Sequence, residues 1–209
     1  MTRLICLHGF TQNGAVMRAR IDKLLTRLLE PPEWLCPDAP HACSQNTVDR
    51  LYAAWNLERQ SPPYLCWWDA TDDGRLYRGW ETTRERLTEL CRADEPPLLL
   101  GFSQGATVAA SLAALSAKGE FPTLSGVVLV AGRMPRSDAL QPLFAPALAI
   151  PSLHVWGERD AMTKEGSAQL VERFDAAQRQ VVTWLGPHAL PVRGEAAQAI
   201  VDFIQRVRR

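Results

Sequence analysis

Leu98-Leu99-Leu100-Gly101-Phe102-Ser103-Gln104-Gly105-Ala106-Thr107-Val108-Ala109-Ala110 is the stretch on which the reading of this chain turns. An apolar run ends in Gly101-Phe102-Ser103-Gln104-Gly105 and passes directly into small residues. This is the G-x-S-x-G pattern, in which a serine sits on a sharp turn between a buried strand and a helix. The glycines two places either side of Ser103 carry no Cβ, so they leave room where strand and helix backbones draw close. Ala106, Ala109 and Ala110 let the helix that follows lie tightly on a sheet. A pentapeptide of common residues says little alone, and the competing reading is an ordinary glycine-rich turn. The context adds the weight: Pro96-Pro97 breaks the chain, a short apolar strand follows, and a helix-forming run comes next.

Outward from this unit, strand-like and helix-like runs alternate. Leu4-Ile5-Cys6-Leu7 is continuously apolar, as a strand covered on both faces should be. It stops at the turn-rich His8-Gly9-Phe10-Thr11-Gln12-Asn13-Gly14, where Asn13 is placed to cap a helix. That helix carries Val16, Ile21, Leu24, Leu25, Leu28 and Leu29 at helical spacing, and Pro31-Pro32 ends it. Trp34-Leu35-Cys36 reads as a second strand. Trp80 to Cys91 reads as a helix, Gly126 to Gly132 as a buried strand, and the tract from Pro135 to Pro151 as holding a short helix at most. A strand at Ser152 to Gly157, a helix around Ser167 to Phe174, a strand at Gln180 to Leu185 and a helix from about Gly194 to Arg206 complete the series. The alternation predicts an α/β fold with a mostly parallel sheet of about six strands and helices on both faces.

The stretch from about 41 to 80 breaks that rhythm. It holds four of the seven tryptophans, Trp55, Trp67, Trp68 and Trp80, together with Pro62-Pro63 and Asp72-Asp73-Gly74. Long irregular segments in compact domains are commonly functional loops or lids. A cover over an active site and a surface excursion merely anchored by its aromatics both remain open here.

At 209 residues the chain is expected to form one domain spanning 1–209. Lys plus Arg and Asp plus Glu both count 23, so no overall field favours nucleic acid or an anionic membrane. The terminal Arg206-Val207-Arg208-Arg209 reads as a solvated helix end. No apolar run approaches the roughly 18 residues needed to span a bilayer, and the N-terminus enters a strand without a signal-peptide pattern. Cysteines 6, 36, 43, 66 and 91 are odd in number and lack a C-x-x-C pair, which suits reduced thiols in a cytoplasmic protein. No metal or cofactor is expected.

A serine hydroxyl needs a base, and the base needs an orienting carboxylate. Catalytic groups in open parallel sheets gather at the carboxyl ends of the strands, which tests each candidate by position. His188 follows the last strand in Gly186-Pro187-His188-Ala189-Leu190-Pro191. His154 lies within a strand and reads as a hydrogen-bonded core residue. His8 reads as a support for its own loop. His41, after the second strand, suits a pocket wall but comes in the wrong order for the base. Asp160, in Trp156-Gly157-Glu158-Arg159-Asp160, follows the penultimate strand and is preferred over Glu158 and Asp138. The bland reading of Asp160 is a turn or helix-capping aspartate. The chain order Ser103, Asp160, His188 is the nucleophile–acid–base order of α/β-hydrolases. The oxyanion of acyl transfer needs fixed backbone N–H groups. Gln104 should supply one, and Phe10 the other, with Thr11 as the alternative. Thr11, Trp67, Trp68 and His41 are candidate pocket residues.

Together these segments resemble the FSH-type serine hydrolases, a family of small esterases within the α/β-hydrolases. The resemblance covers most of the chain and rests on Leu7 to Gly14, Pro37-Asp38-Ala39-Pro40-His41, Trp67-Trp68, Gly101 to Ala106, Trp156 to Asp160, and His188. It implies an α/β-hydrolase fold, Ser103, Asp160 and His188 as a triad, and hydrolysis of carboxylic esters or thioesters. Neutral net charge and the aromatic stretch lead us to expect medium or long apolar chains in a small-molecule substrate. The alternatives are a thioesterase releasing acyl groups from a carrier, or a ligand-binding protein on the same fold without turnover.

Overall fold

Strand and helix alternate along the chain as the apolar runs require. The computed structural model describes residues 3–26, 28 and 30–208; Leu29 and Arg209 lie outside the described residues. In chain order the elements are β1 (Leu4–Leu7), α1 (Gly14–Leu25), β2 (Trp34–Leu35), β3 (His41–Ala42), α2 (Gln45–Ala54), β4 (Leu65–Cys66), β5 (Asp69–Ala70) and β6 (Tyr77–Arg78). There follow α3 (Trp80–Cys91), β7 (Leu98–Phe102), α4 (Gln104–Ala117), β8 (Gly126–Val130), β9 (Ser152–Gly157), α5 (Lys164–Val171), β10 (Arg179–Trp184) and α6 (Gly194–Val207). A 3-10 turn at Gln141–Phe144 is the short helix expected in the proline-rich tract.

Six strands form one sheet in the order β10-β9-β8-β7-β1-β2, with every neighbouring pair parallel. The chain runs outward from β1 to β2, then crosses back to β7 and continues through β8, β9 and β10. The strand order therefore reverses between β1 and β7, which pair from Leu4↔Leu98 to Leu7↔Gly101. Crevices form at the carboxyl ends of strands at such a switch point. Here those ends are His8-Gly9-Phe10 and Ser103.

Alternate strand residues point to opposite faces. Ile5, Leu7, Leu99, Val127 and Leu129 join the core that includes α4, Leu87 of α3 and Trp67. Leu4, Cys6, Leu98, Leu100, Phe102, Val128 and Val130 join the opposite core, built on α1 and α6. On α6 the buried stripe is Ala197, Ile200, Val201 and Ile204, spaced i, i+3, i+4 and i+7. Each large aliphatic there contributes about 1.5–3 kcal/mol by leaving water, so a charge at Ile200 would unseat the helix. α4 differs in kind. Gly105 through Leu115 are all buried, because the helix is covered by more than the sheet.

The structure departs from expectation in three places. α1 ends at Leu25 rather than continuing to the prolines; Thr26 caps it, and Leu28 is buried beyond the helix. α5 begins at Lys164, three residues earlier than its expected core, and stops before Phe174. The 41–80 stretch is not irregular. It contains a ten-residue helix, α2, whose N-cap Ser44 accepts from the Thr47 N–H, and two small antiparallel pairs, β3–β4 and β5–β6. Val48 and Tyr52 face inward one turn apart on that helix.

Candidate active site

Ser103 adopts φ 55, ψ −115, a region that costs a non-glycine residue about 1–3 kcal/mol. The surrounding backbone over-determines it. A Cβ on Gly101 would lie 2.2 Å from the Gly105 carbonyl oxygen, and one on Gly105 would lie 2.2 Å from that of Leu7. No side chain fits at either position. The Ser103 N–H donates to the Val130 carbonyl at 2.8 Å, tying the turn to β8. Thr11 (φ 59) and Ala131 (φ 53) are also left-handed without being glycine, and both line the same cleft as Ser103. Backbone strain concentrated at one cleft is a mark of a functional site.

Ser103 Oγ lies 2.9 Å from His188 Nε2, and His188 Nδ1 lies 2.8 Å from Asp160 Oδ2. Three residues far apart in sequence thus form one hydrogen-bonded series. β9 and β10 bring the last two together: Glu158 N–H donates to the Trp184 carbonyl and Arg159 N–H to that of Gly186, at 2.8 and 3.0 Å. Gly157 allows this, since a Cβ there would sit 2.1 Å from the Gly186 oxygen. Asp160 Oδ1 accepts the N–H groups of Met162 and Thr163, both at 2.9 Å, and the Thr163 hydroxyl donates to Oδ2 at 2.5 Å. Burial pushes the Asp160 carboxyl up, but hydrogen bonds from His188 and Thr163 outweigh it and hold the group below its ordinary range. An ionised Asp160 accepts a hydrogen bond from His188 Nδ1–H, which fixes the tautomer and leaves Nε2 free to accept from Ser103. Glu158 instead faces Lys164 at 2.9 Å, and Asp138 is exposed beside Arg75.

His8 holds the loop after β1. Its Nδ1–H donates to the Gly9 carbonyl at 2.8 Å, and its Nε2 accepts the Ala39 N–H at 3.0 Å. Burial lowers its pKa to about 4, so the ring is neutral. His154 is likewise buried, against Ser152 and Phe174, with its pKa lowered to about 3 by burial and then by Arg179. Gly9 lies against the elbow, since a Cβ on it would meet that of Ser103 at 3.3 Å. The neighbouring Phe10 N–H has no acceptor among the described residues, whereas the Thr11 N–H is taken by the Leu65 carbonyl at 2.9 Å. Gln104 opens α4, where backbone N–H groups have no partner within the helix. Phe10 and Gln104, each with a backbone N–H lacking an acceptor among the described residues, line the same cleft as Ser103.

The Gln104 side chain has a role that the sequence did not signal. Its Oε1 accepts the Trp67 N–H and its Nε2 donates to the Trp68 carbonyl, both at 3.0 Å. Trp67 Nε1 donates in turn to the His8 carbonyl at 2.8 Å, and the Thr83 hydroxyl donates to the Trp67 carbonyl. The elbow, the β1 loop and the 41–80 excursion are thus laced together.

Ser103 and His188 open onto a cleft of about 850 Å³. Of the four expected pocket residues, Thr11 and Trp68 line it, as do Phe10 and Gln104, the residues expected to supply oxyanion donors. Two do not. Trp67 is wholly buried under its hydrogen bond to His8. His41 bonds to the Gly79 carbonyl at 2.9 Å and faces a separate hollow of about 290 Å³. The wall that spacing alone did not reveal is α2 and its exit, through Leu51, Tyr52, Trp55 and Leu57. Among the described residues, no cluster of His, Cys, Asp and Glu is placed to hold a metal ion, and no helix is long and apolar enough to cross a membrane.

Residues 1–200 match the family model described as serine hydrolase (FSH1). The chain is 31% identical over 224 residues to esterase OVCA2 of Bos taurus, covering 99% of this chain and 96% of that protein. Its fold is similar to that of Arabidopsis thaliana SOBER1, with TM-score 0.72 and 17% identity over 100% and 99% of the two chains. It is also similar to Zea mays acyl-protein thioesterase 2, with TM-score 0.69 and 19% identity over 99% and 93%.

Proposed function

The chain belongs to the serine hydrolase (FSH1) family and is a carboxylic ester hydrolase, and from that premise we propose that Ser103 is its nucleophile, His188 its base and Asp160 the group that orients the base. The observation that carries this reading is the unbroken series Ser103 Oγ, His188 Nε2, His188 Nδ1, Asp160 Oδ2, at 2.9 and 2.8 Å, on a strained turn facing a cleft.

The chemistry runs in two halves. Ser103 Oγ attacks the acyl carbonyl as its proton passes to His188 Nε2, and Asp160 stabilises the imidazolium that results. The tetrahedral oxygen takes hydrogen bonds from the N–H groups of Phe10 and Gln104. Each such donor is worth about 3–4 kcal/mol because it is fixed before the charge develops. His188 then protonates the leaving alcohol, and the acyl group remains on Ser103. Water repeats the sequence and frees the acid. A thioester passes through the same steps with a thiol as leaving group.

The cleft supports a preference for medium or long chains. Leu51, Tyr52, Trp55 and Leu57 offer an apolar wall that a short acyl group would leave in contact with water. Two measurements test the reading. A fluorophosphonate probe should label the wild type and fail to label Ser103→Ala; equal labelling of both would refute the nucleophile. Rates on p-nitrophenyl esters should rise from acetate to longer chains, and a flat series would remove the chain-length preference while leaving the triad standing.

A further inference from the structure

Two arginines on the cleft wall lack a partner that the protein itself supplies. Arg133 follows β8 and Arg136 comes three residues later; both line the cleft that holds Ser103. Among the described residues, neither guanidinium has a carboxylate at ion-pair distance or donates a hydrogen bond. Of the other arginines lining the cleft, Arg20 donates to Gln12 and Gln60 at 3.1 and 3.2 Å, while Arg50 of α2 also lacks a partner among the described residues; Arg133 and Arg136 differ from it in acting on one another. Asp73 acts on Arg136 from a distance, and its Oδ1 accepts from the Thr71 hydroxyl and the Arg75 N–H.

Their backbones are nevertheless fixed. Thr107 Oγ1 donates to the Arg133 carbonyl at 3.1 Å and accepts the Arg133 N–H at 3.3 Å. Thr107 lies one helical turn from the elbow, and its N–H donates to the Ser103 carbonyl at 3.2 Å. Arg136 N–H donates to the Tyr77 hydroxyl at 2.8 Å. The Arg136 guanidinium lies over Gly74, where a Cβ would come within 2.4 Å of Cζ. Burial first, and the Arg136 charge second, push the Arg133 pKa down. Both residues are nonetheless exposed, and the like charge of Arg136 acts on Arg133, so an anion bound beside the pair relieves a repulsion that water only partly screens. A guanidinium offers a fork of donors that matches carboxylate and phosphate oxygens.

We propose that Arg133 and Arg136 form an anion-recognising subsite of the Ser103 cleft, so that preferred substrates are esters or thioesters bearing a carboxylate or phosphate. This rests on Ser103 being the nucleophile. The apolar wall along α2 then takes the hydrocarbon part of the substrate, and the arginine pair takes its charged end. Specificity arises because an anionic substrate gains charge-assisted hydrogen bonds from the two exposed guanidinia that a neutral analogue does not.

The test compares matched substrates that differ by one anionic group. For an anion on the acyl side, p-nitrophenyl hydrogen glutarate is set against p-nitrophenyl butyrate. For an anion on the leaving-group side, S-butyryl-4′-phosphopantetheine is set against S-butyryl-pantetheine. In the wild type at least one anionic-to-neutral ratio of kcat/KM should exceed about tenfold, the scale of one charge-assisted hydrogen bond. Arg133→Gln/Arg136→Gln should bring that ratio to about one, chiefly through KM, and Arg133→Lys should recover part of it. Melting temperatures of the variants identify any that fail to fold, and Arg133→Lys, which keeps the charge, then carries the comparison. Ratios near one in the wild type, or ratios unmoved by the substitutions, overturn the subsite while p-nitrophenyl butyrate turnover leaves the esterase site intact. Failure of the fluorophosphonate probe to label Ser103 would instead overturn the site on which it rests.

Discussion

The β7–α4 turn and the 41–80 excursion face one another across the same cleft, yet they are held by different kinds of interaction. The turn is dictated by sterics within a few residues. Gly101 and Gly105 sit where a Cβ would collide with backbone, and α4 behind them is buried throughout. The excursion is held by contacts between distant residues. Trp67 hangs from His8 and Gln104, Asn13 donates to the Ser61 and Pro63 carbonyls, and Trp68 stacks on Tyr77 at 4.4 Å. On the proposed function, the first carries the reacting groups and the second the apolar wall that meets the substrate's chain.

Substitutions on the two sides should therefore fail differently, and the largest effect belongs to the turn. Ser103→Ala should lower kcat/KM for a p-nitrophenyl ester by at least about 10⁴-fold without lowering the melting temperature, as removal of a triad nucleophile does. Gly105→Ala should act on structure instead. Its Cβ would press on the Leu7 oxygen at 2.2 Å, so unfolding in urea should report a loss of about 3 kcal/mol. A neutral result there would break the claim that backbone sterics fix the turn.

Gln104→Ala probes the join between the regions. It keeps the backbone N–H and removes both bonds to Trp67 and Trp68, each worth about 0.5–1.5 kcal/mol. Activity and the protease resistance of the 41–80 stretch should fall together. Loss of activity alone would mean that the excursion does not depend on this link.

Acid provides a further separation. His8 and His154 have folded-state pKa values lowered to about 4 and about 3, while in the unfolded chain they titrate near 6.5. Below about pH 6.5 the unfolded state binds more protons, so stability is full above that pH and declines as pH falls toward 4. Each histidine contributes at most about 1.4 kcal/mol per pH unit. Asp160, held below the ordinary carboxylate range, adds its own loss only at still lower pH. Urea unfolding at pH 7.5 and pH 5 checks the window, and His8→Gln should flatten the slope. The smallest effect belongs to the rim of the excursion. Trp55 is 44% exposed, so Trp55→Ala should change stability by under about 0.5 kcal/mol while reducing the rate advantage of long esters a few-fold.

The same contrast decides what could be read from the chain. The convergence of Ser103, Asp160 and His188 was legible because each follows a strand, and a parallel sheet gathers such positions at one edge. The Phe10 loop was legible for the same reason, though only the Thr11–Leu65 hydrogen bond separates Phe10 from Thr11 as the free donor. α2 had a readable signal in the Ser44 cap and in Val48, Leu51 and Tyr52 at helical spacing, but the prolines and tryptophans that follow obscured it. Neither the burial of Trp67 nor the direction of His41 toward Gly79 has a local signature. Both follow from contacts more than thirty residues away in sequence. The Gln104 side chain is the clearest case: its position was noted for a backbone N–H, and its amide instead spans the cleft wall.

The central claim is that Ser103 carries the acyl group between the two halves of the reaction. Rapid acid quench during turnover of a p-nitrophenyl ester, followed by peptide mapping by mass spectrometry, tests it most directly. An added acyl mass is expected on the peptide containing Ser103 and absent from Ser103→Ala. An adduct on another residue, or an unmodified Ser103 peptide with p-nitrophenol released in a burst, would contradict it.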